Sequence, residues 1–422
     1  MSNNPKPGYK LSEIGEIPED WEVVRLGDVL ALCDNGTWGE NDATPETGYP
    51  ILRSTNIKNG KVINLSEVAY RRVLKNRVEK YKLLPGDIIV TRSSGSPHLV
   101  GDIAYFDVDK EGSQVFLFSN YTQRLRVEKD KIKSKFLCYY LLSPIAKNIL
   151  KKISDTTTGL KNLNIKTYKS QPIPLPPLPE QHKTASILST VDETVQKTDE
   201  VIKKTQELKK GLMQQLLTKG ISHTKFKQTE IGEIPEEWKA VEFNECFRRR
   251  KIEVGNVSKQ NYKKCGLYSI IDQGANFIAG YTDDESKVYQ GDLPVIIFGD
   301  HTRFFKYVDF PFVTGADGTK ILPPNRALFD PEYLYYALLN LRIENLGYNR
   351  HFKLLKEKVL PLPPLPEQQK IAGILSGVDE KIEVERKRKE KLEELKKGLM
   401  QDLLTGKIRV KLVGADPCVC PQ

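Results

Sequence analysis

PLPPLPEQ stands at residues 174–181 and again, letter for letter, at residues 361–368, and each copy opens a long helical pattern that runs to KKGLMQ. An eight-residue identity at the head of the same kind of segment marks a duplicated architectural unit. A second pair, EIGEIPEDW at residues 13–21 and EIGEIPEEW at residues 230–238, carries the duplication back towards the start of the chain. EIGEIPE recurs after 217 residues and PLPPLPEQ after 187, so the stretch between them is 30 residues shorter in the second half. The stretches themselves share little sequence. Variable block, matched helix, variable block, matched helix is the order expected of interchangeable readers held on a common frame.

In the first helical pattern Leu188, Val191, Val195, Thr198, Ile202, Thr205, Leu208, Leu212 and Leu216 follow alternating steps of three and four, with small phase slips towards the end. That spacing is a coiled-coil seam rather than a broad core-facing stripe. The matching positions in the second are Leu375, Val378, Ile382, Glu385, Lys389, Leu392, Leu395, Leu399 and Leu403, with charge in the middle. Pro179 and Pro366 suit a first helical turn, Glu180 and Glu367 suit its positive end, and Gly220 and Gly406 offer stops. Residues 180–218 alone make a rod of roughly 58 Å at 1.5 Å per residue. So narrow a seam needs a partner, and the economical one is the duplicate lying antiparallel. The basic run at residues 386–389, with Glu383 opposite Lys387 and Glu393 opposite Lys397 at i,i+4 spacing, reads as a solvated face. The expected class is α+β: two mixed α/β blocks joined by two long helices in an antiparallel coiled coil, with an internal pseudo-two-fold.

Composition narrows the function classes. A chain of 422 residues has room for about three domains. Lys and Arg number 65 against 55 Asp and Glu, a formal charge of +10 that is compatible with a polyanionic partner. No apolar run is long enough to span a bilayer, and MSNNPKPGYK lacks the apolar core of a secretory signal. The expectation is a cytoplasmic protein with no membrane partner. Cys33, Cys138, Cys246 and Cys265 are scattered without ligand spacing, and Cys418 and Cys420 sit in a tail, residues 410–422, expected to be flexible. No metal site is expected.

Inside the blocks, LLPGDIIVTRSSGS at residues 83–96 and VYQGDLPVIIFGDHTRF at residues 288–304 each read as a turn, a short buried strand and a polar loop. Gly86 with Asp87 and Gly291 with Asp292 are explained by the turn alone. The loops beyond are less easily explained by packing, because polar residues leaving a buried strand are a usual place for ligand-reading groups. They hold Arg92, Ser93, Ser94 and His98 in the first block, and Asp300, His301 and Arg303 in the second. Two further polar stretches, residues 156–166 and 347–358, supply Lys161, Asn162, Arg350 and His351; Arg53 and Gln273 complete the candidate DNA-binding set. Arg, Lys and Asn are able to read base edges or bind phosphate. The tyrosines of KFLCYYLL and EYLYYALL are expected in the core or at its boundary.

Taken together, GEIPEDW and GEIPEEW at the block starts, GDIIVTRSSG, PLPPLPEQ twice and KKGLMQ twice resemble the specificity subunits of type I restriction-modification systems, over residues 9–408. The resemblance implies two target recognition domains, residues 1–171 and 222–358, each reading one half of a split double-stranded DNA sequence. It implies spacer helices at residues 172–221 and 359–409 that dock two modification subunits, with restriction subunits joining the cleaving complex. No cofactor is expected on this chain itself; S-adenosylmethionine, ATP and Mg are expected on the partners.

The residues agree with a non-catalytic role: neither a G-x-x-x-x-G-K-[ST] loop nor a G-x-G-x-x-G cradle occurs, and Asp300 beside His301 is weak evidence for an acid–base pair. The alternative reading is a coiled-coil scaffold whose end domains bind proteins, which would lack salt-dependent affinity for DNA of random sequence.

Overall fold

The computed structural model describes residues 5–107, 114–153, 162–248, 255–315, 318–345, 347 and 349–410. Lys161, most of residues 156–166 and nearly all of the tail with Cys418 and Cys420 lie outside them. The chain forms two compact units. Residues up to Lys197 with those from Lys389 onward make one, and Thr198–Arg388 the other. The long helices run over Leu178–Lys219, 42 residues, and Leu365–Leu403, 39 residues, so each unit holds one block and a part of both helices. No helix is long and apolar enough to cross a membrane, among the described residues.

The blocks share a topology that their sequences hide. In the first unit a four-stranded antiparallel sheet is ordered Ile103–Tyr105, Ile88–Thr91, Thr122–Val127, Leu30–Asn35. Beside it Leu117–Phe118, Tyr49–Leu52 and Ala69–Arg71 form a second sheet, whose first pair is parallel. The second unit repeats the plan with Phe305–Val308, Val295–Gly299 and Thr319–Leu322, and with Gly280–Thr282, Tyr268–Ile271 and Phe312–Thr314, where again one pair is parallel. The central strands IIVT and VIIFG are buried on both faces, which is why they read as unbroken apolar runs. The shared Gly-Asp turns have diverged: Asp87 is buried and accepts two bonds from Arg126 at 2.7 and 2.8 Å, whereas Asp292 is exposed and pairs with Arg248 at 2.9 Å.

In each unit the two repeated motifs meet. The indole N–H of the fully buried Trp21 donates to Glu180 at 3.1 Å, and that of Trp238 donates to Glu367 at 2.9 Å. The next residue clamps the block. Gln181 donates to the carbonyls of Pro176 at 2.7 Å and Lys131 at 3.2 Å and accepts from the Lys133 N–H at 2.7 Å; Gln368 does the same with Pro363, Leu328 and Asp330. The prolines before them form strands, Pro172–Leu175 against Glu22–Arg25 and Val359–Leu362 against Lys239–Glu242. Gly220 and Gly406 end the helices at φ +66° and +71° and pack on Trp238 and Trp21.

The helices pair antiparallel within each unit. Ala185 and Leu188 share a core with Met400 and Leu404, while Leu216 and Leu217 share one with Ile371, Ala372 and Leu375. A polar clasp recurs between them. Asp192 takes Lys396 at 2.6 Å and the Tyr139 hydroxyl at 2.8 Å; Asp379 takes Lys209 at 2.6 Å and the Tyr336 hydroxyl at 2.9 Å. The tyrosines are indeed core and boundary residues. Leu208 and Leu395 depart from the expected seam, being 55% and 51% exposed, because the inward place is taken by the neighbouring lysine of each clasp. Lys387 and Glu383 pair at 3.7 Å on the solvated face.

Two outcomes follow from these junctions. Alanine at Gly220 would sit at positive φ with its Cβ 2.6 Å from a Glu367 oxygen and 2.7 Å from the Trp238 ring; Gly220→Ala is expected to lower unfolding free energy by about 1–3 kcal/mol. Gly211→Ala, in open space on the same helix, should raise it by about 0.5–1 kcal/mol in the same denaturant titration. The second concerns pH. Hydrogen bonds from Arg409 hold the Asp20 carboxyl below the usual carboxylate range. Its stabilising contribution is therefore complete above the pKa of a free aspartate and is lost as pH falls through the lower folded value. NMR titration should place Asp20 below a free aspartate in the parent and at the ordinary value in Arg409→Gln.

Candidate nucleic-acid interface

Backbone hydrogen bonds align the two blocks residue by residue. Ser119 N–H donates to Leu52 as Gly315 N–H does to Ile271, both at 2.9 Å. Thr91 faces Thr122 across the sheet as Gly299 faces Thr319. Arg92 N–H donates to the Tyr121 carbonyl at 2.9 Å and Asp300 N–H to that of Gly318 at 2.8 Å; Leu163 N–H reaches Arg92 at 2.7 Å and His351 N–H reaches Asp300 at 2.9 Å. Arg53 thereby corresponds to Asp272, Ser54 to Gln273, Arg92 to Asp300, Ser93 to His301 and Asn162 to Arg350. Residues chosen from unrelated stretches of sequence thus occupy the same strand ends.

In the first block these strand ends border an open groove of about 600 Å³ lined by Trp38, Arg53, Ser54, Thr55, Ser93, Ser94, Gly95, Ser119, Tyr121 and Asn162. Four of the predicted residues, Arg53, Ser93, Ser94 and Asn162, are brought together here, and Ser93 bridges to Asn162. Arg92 adjoins them, its guanidinium donating to the Asn120 carbonyl at 3.3 Å. His98 is exposed in the short helix Pro97–Leu99 and does not line the groove. Among the described residues the lining contains no carboxylate. Tyr121, 57% exposed, and Trp38, with the Arg71 guanidinium 4.8 Å above its ring, were not expected from the sequence. The only hint was the polar SNYTQ at residues 119–123, leading into a buried strand.

In the second block the candidates are more heavily engaged in structure. Gln273 accepts from the His301 N–H at 3.1 Å, and its carbonyl accepts from the Thr302 hydroxyl. Arg303 stands at φ +64° and donates to Ile343 at 3.0 Å. Arg350 is exposed. His351 is 0% exposed, and both its N–H and Nδ1 lie 2.9 Å from the Asp300 carbonyl. The structure therefore corrects one expectation: His351 is a buried cross-link that positions the loop, not a surface contact. Asp300 is buried as well, its carboxylate accepting from the Phe352 N–H at 2.8 Å. Lys306, 5% exposed, was also missed. Its ammonium donates to the carbonyls of Asp272 at 2.7 Å, Asn276 at 2.6 Å and Phe277 at 3.4 Å, fixing the loop that carries Gln273. Burial pushes its pKa below the usual lysine range against an opposing pull from Asp272.

Among the described residues no group of three or more His, Cys, Asp or Glu is placed to hold a metal ion. The Cys138 and Cys246 thiols are each pushed up to about 12 by burial, so neither is a nucleophile near neutral pH.

Comparison with known proteins gives one answer. Residues 18–209 and 225–394 each match the family described as type I restriction modification DNA specificity domain. A specificity subunit assigned to a type I restriction enzyme of Methanocaldococcus jannaschii, MjaX, is 35% identical over 96% of this chain and 97% of its own length. The MjaVIII specificity subunit of the same organism is 29% identical over 94% of each chain. The crystal structure of a type I restriction-modification S subunit from M. genitalium shares the fold, with a TM-score of 0.61 at 17% identity over 94% of this chain and 98% of that one. The chain belongs to the specificity-subunit family of type I restriction-modification systems and carries the DNA specificity domain of that family twice.

Proposed function

We propose that this chain is the non-catalytic DNA-recognition subunit of a cytoplasmic type I restriction-modification complex, with residues 1–171 and 222–358 as target recognition domains that each read one half of a split duplex target. One observation carries the reading: two blocks with the same backbone hydrogen bonds present different side chains at the same strand ends. A constant frame with a variable polar rim is what recognition of two different half-sites requires, since phosphate contacts fix position while side chains at base edges carry sequence.

Residues 172–221 and 359–409 are assigned the spacer and the docking of two modification subunits, with restriction subunits completing the cleaving complex. S-adenosylmethionine, ATP and Mg are assigned to those partners. A methylated adenine must leave the stack, and the pocket that receives it is assigned to the modification subunit.

The test acts on the frame. Four residues inserted after Thr205, within the helix Leu178–Lys219, add roughly 6 Å and keep the seam close to phase. At 3.4 Å per base pair the preferred spacer should grow by about one to two base pairs. Methylation of a duplex library that varies only in spacer length reads this out. A folded, partner-competent variant with the parental preference would overturn the spacer role. Absence of salt-dependent binding to random-sequence duplex would overturn DNA recognition itself and favour a protein-binding scaffold.

A further inference from the structure

The aligned strand ends carry opposite charge in the two blocks: Arg53 and Arg92 in the first stand where Asp272 and Asp300 stand in the second. Both aspartates are occupied by structure. Asp272 accepts from the Gly274 N–H at 2.8 Å, and Asp300 caps the segment at Phe352. In the first block the corresponding short helix, Ile165–Lys169, is capped by its own Asn164, which accepts from Lys166 and Thr167 at 3.0 and 3.3 Å. Position 92 is thus released from the task that position 300 performs.

What occupies the released positions has donors to spare. A guanidinium carries five N–H donors. Among the described residues Arg53 uses one side-chain donor, on the Glu67 carbonyl at 3.1 Å, and Arg92 one, on Asn120 at 3.3 Å; the Nε of each is buried without a partner. Among the described residues no carboxylate lines the adjoining groove to absorb the remainder. Unused, forked donors at the rim of a polar groove match two acceptors side by side, which the major-groove edge of guanine offers through O6 and N7.

Resting on the reading that this block binds duplex DNA, we propose that Arg53 and Arg92 are the specificity-determining pair of the first recognition domain and that they read guanine. The second domain, with aspartates committed at both places, reads its half-site from other residues. The two half-sites accordingly differ in whether guanine is demanded by these strand ends.

Selection from a duplex library of randomised sequence with the full-length protein tests this. The parent should select a split sequence with guanine required in one half. Arg92→Ala and Arg53→Ala should each reduce the preference for guanine at one position of that half by roughly 5- to 150-fold, leaving the other half unchanged as an internal control of folding. Arg92→Gln, which keeps the length and polarity of the side chain without its charge, should lose guanine at the same position as Arg92→Ala. Selection of a split sequence without guanine, unchanged profiles in the variants, or uniform weakening at every position with a salt slope lower by about 1 would each overturn the assignment, the last identifying phosphate contacts instead. A parent that selects no sequence would overturn DNA reading altogether, and is distinguished by its appearing before any substitution is made.

Discussion

A carboxylate removed from water must be met by donors, and that requirement organises both halves of this chain. Glu180 is 3% exposed and receives the Trp21 indole together with Arg409 at 2.8 Å; Glu367 receives the Trp238 indole, His223 at 2.8 Å and the Ile221 N–H at 2.9 Å. A buried charge stripped of one partner is strongly destabilising, whereas a fully bonded one fixes geometry. The start of the block, the start of one helix and the segment leaving the other helix therefore converge on one residue. The glutamine that follows ties in the block's own apolar helix. The Glu-Gln pair that closes both copies of PLPPLPEQ has a physical cause, since the glutamate is bonded to the block's indole and to the segment leaving the other helix, and the glutamine to the backbone of the block.

Away from that junction, the same backbone supports different chemistry. The buried strands and their hydrogen-bond register are common to both blocks, while the residues just past the strand ends are a groove with spare cationic donors in one and a tightly bonded loop held by Lys306 in the other. Rigid strands give such positions precision, and short loops beyond them leave the side chains free to vary.

Much of this was legible in the amino acids, and what was not has an identifiable reason. Proline, glycine and an exact repeat fix helix ends through local geometry, so the stops at Gly220 and Gly406 could be read directly. The antiparallel seam was legible except at Leu208 and Leu395, where a lysine reaching an aspartate on the opposite helix outweighs the apolar period. The common topology of the blocks was not legible, because a buried strand demands only that its residues be apolar and leaves their identity open. The candidate set mixed Arg92 with His351, since a polar residue in a loop looks the same whether it faces solvent or bonds inward; only the register separates them. Lys306 was hidden for the converse reason, a charge placed inside a strand where the pattern offers no cue.

The cap at Asp300 also constrains the order in which this fold can change. A substitution that brings a new side chain to that rim position leaves the Phe352 N–H without its acceptor, a loss of about 1–3 kcal/mol if the group stays buried. The first block carries its acceptor at the cap of the short helix, at Asn164. An evolving second domain would therefore need a polar residue near position 352 before position 300 became free to vary, and the reverse sequence of mutations would pass through a less stable intermediate. The diversification of recognition is epistatic, gated by a silent change in the scaffold that touches no nucleotide.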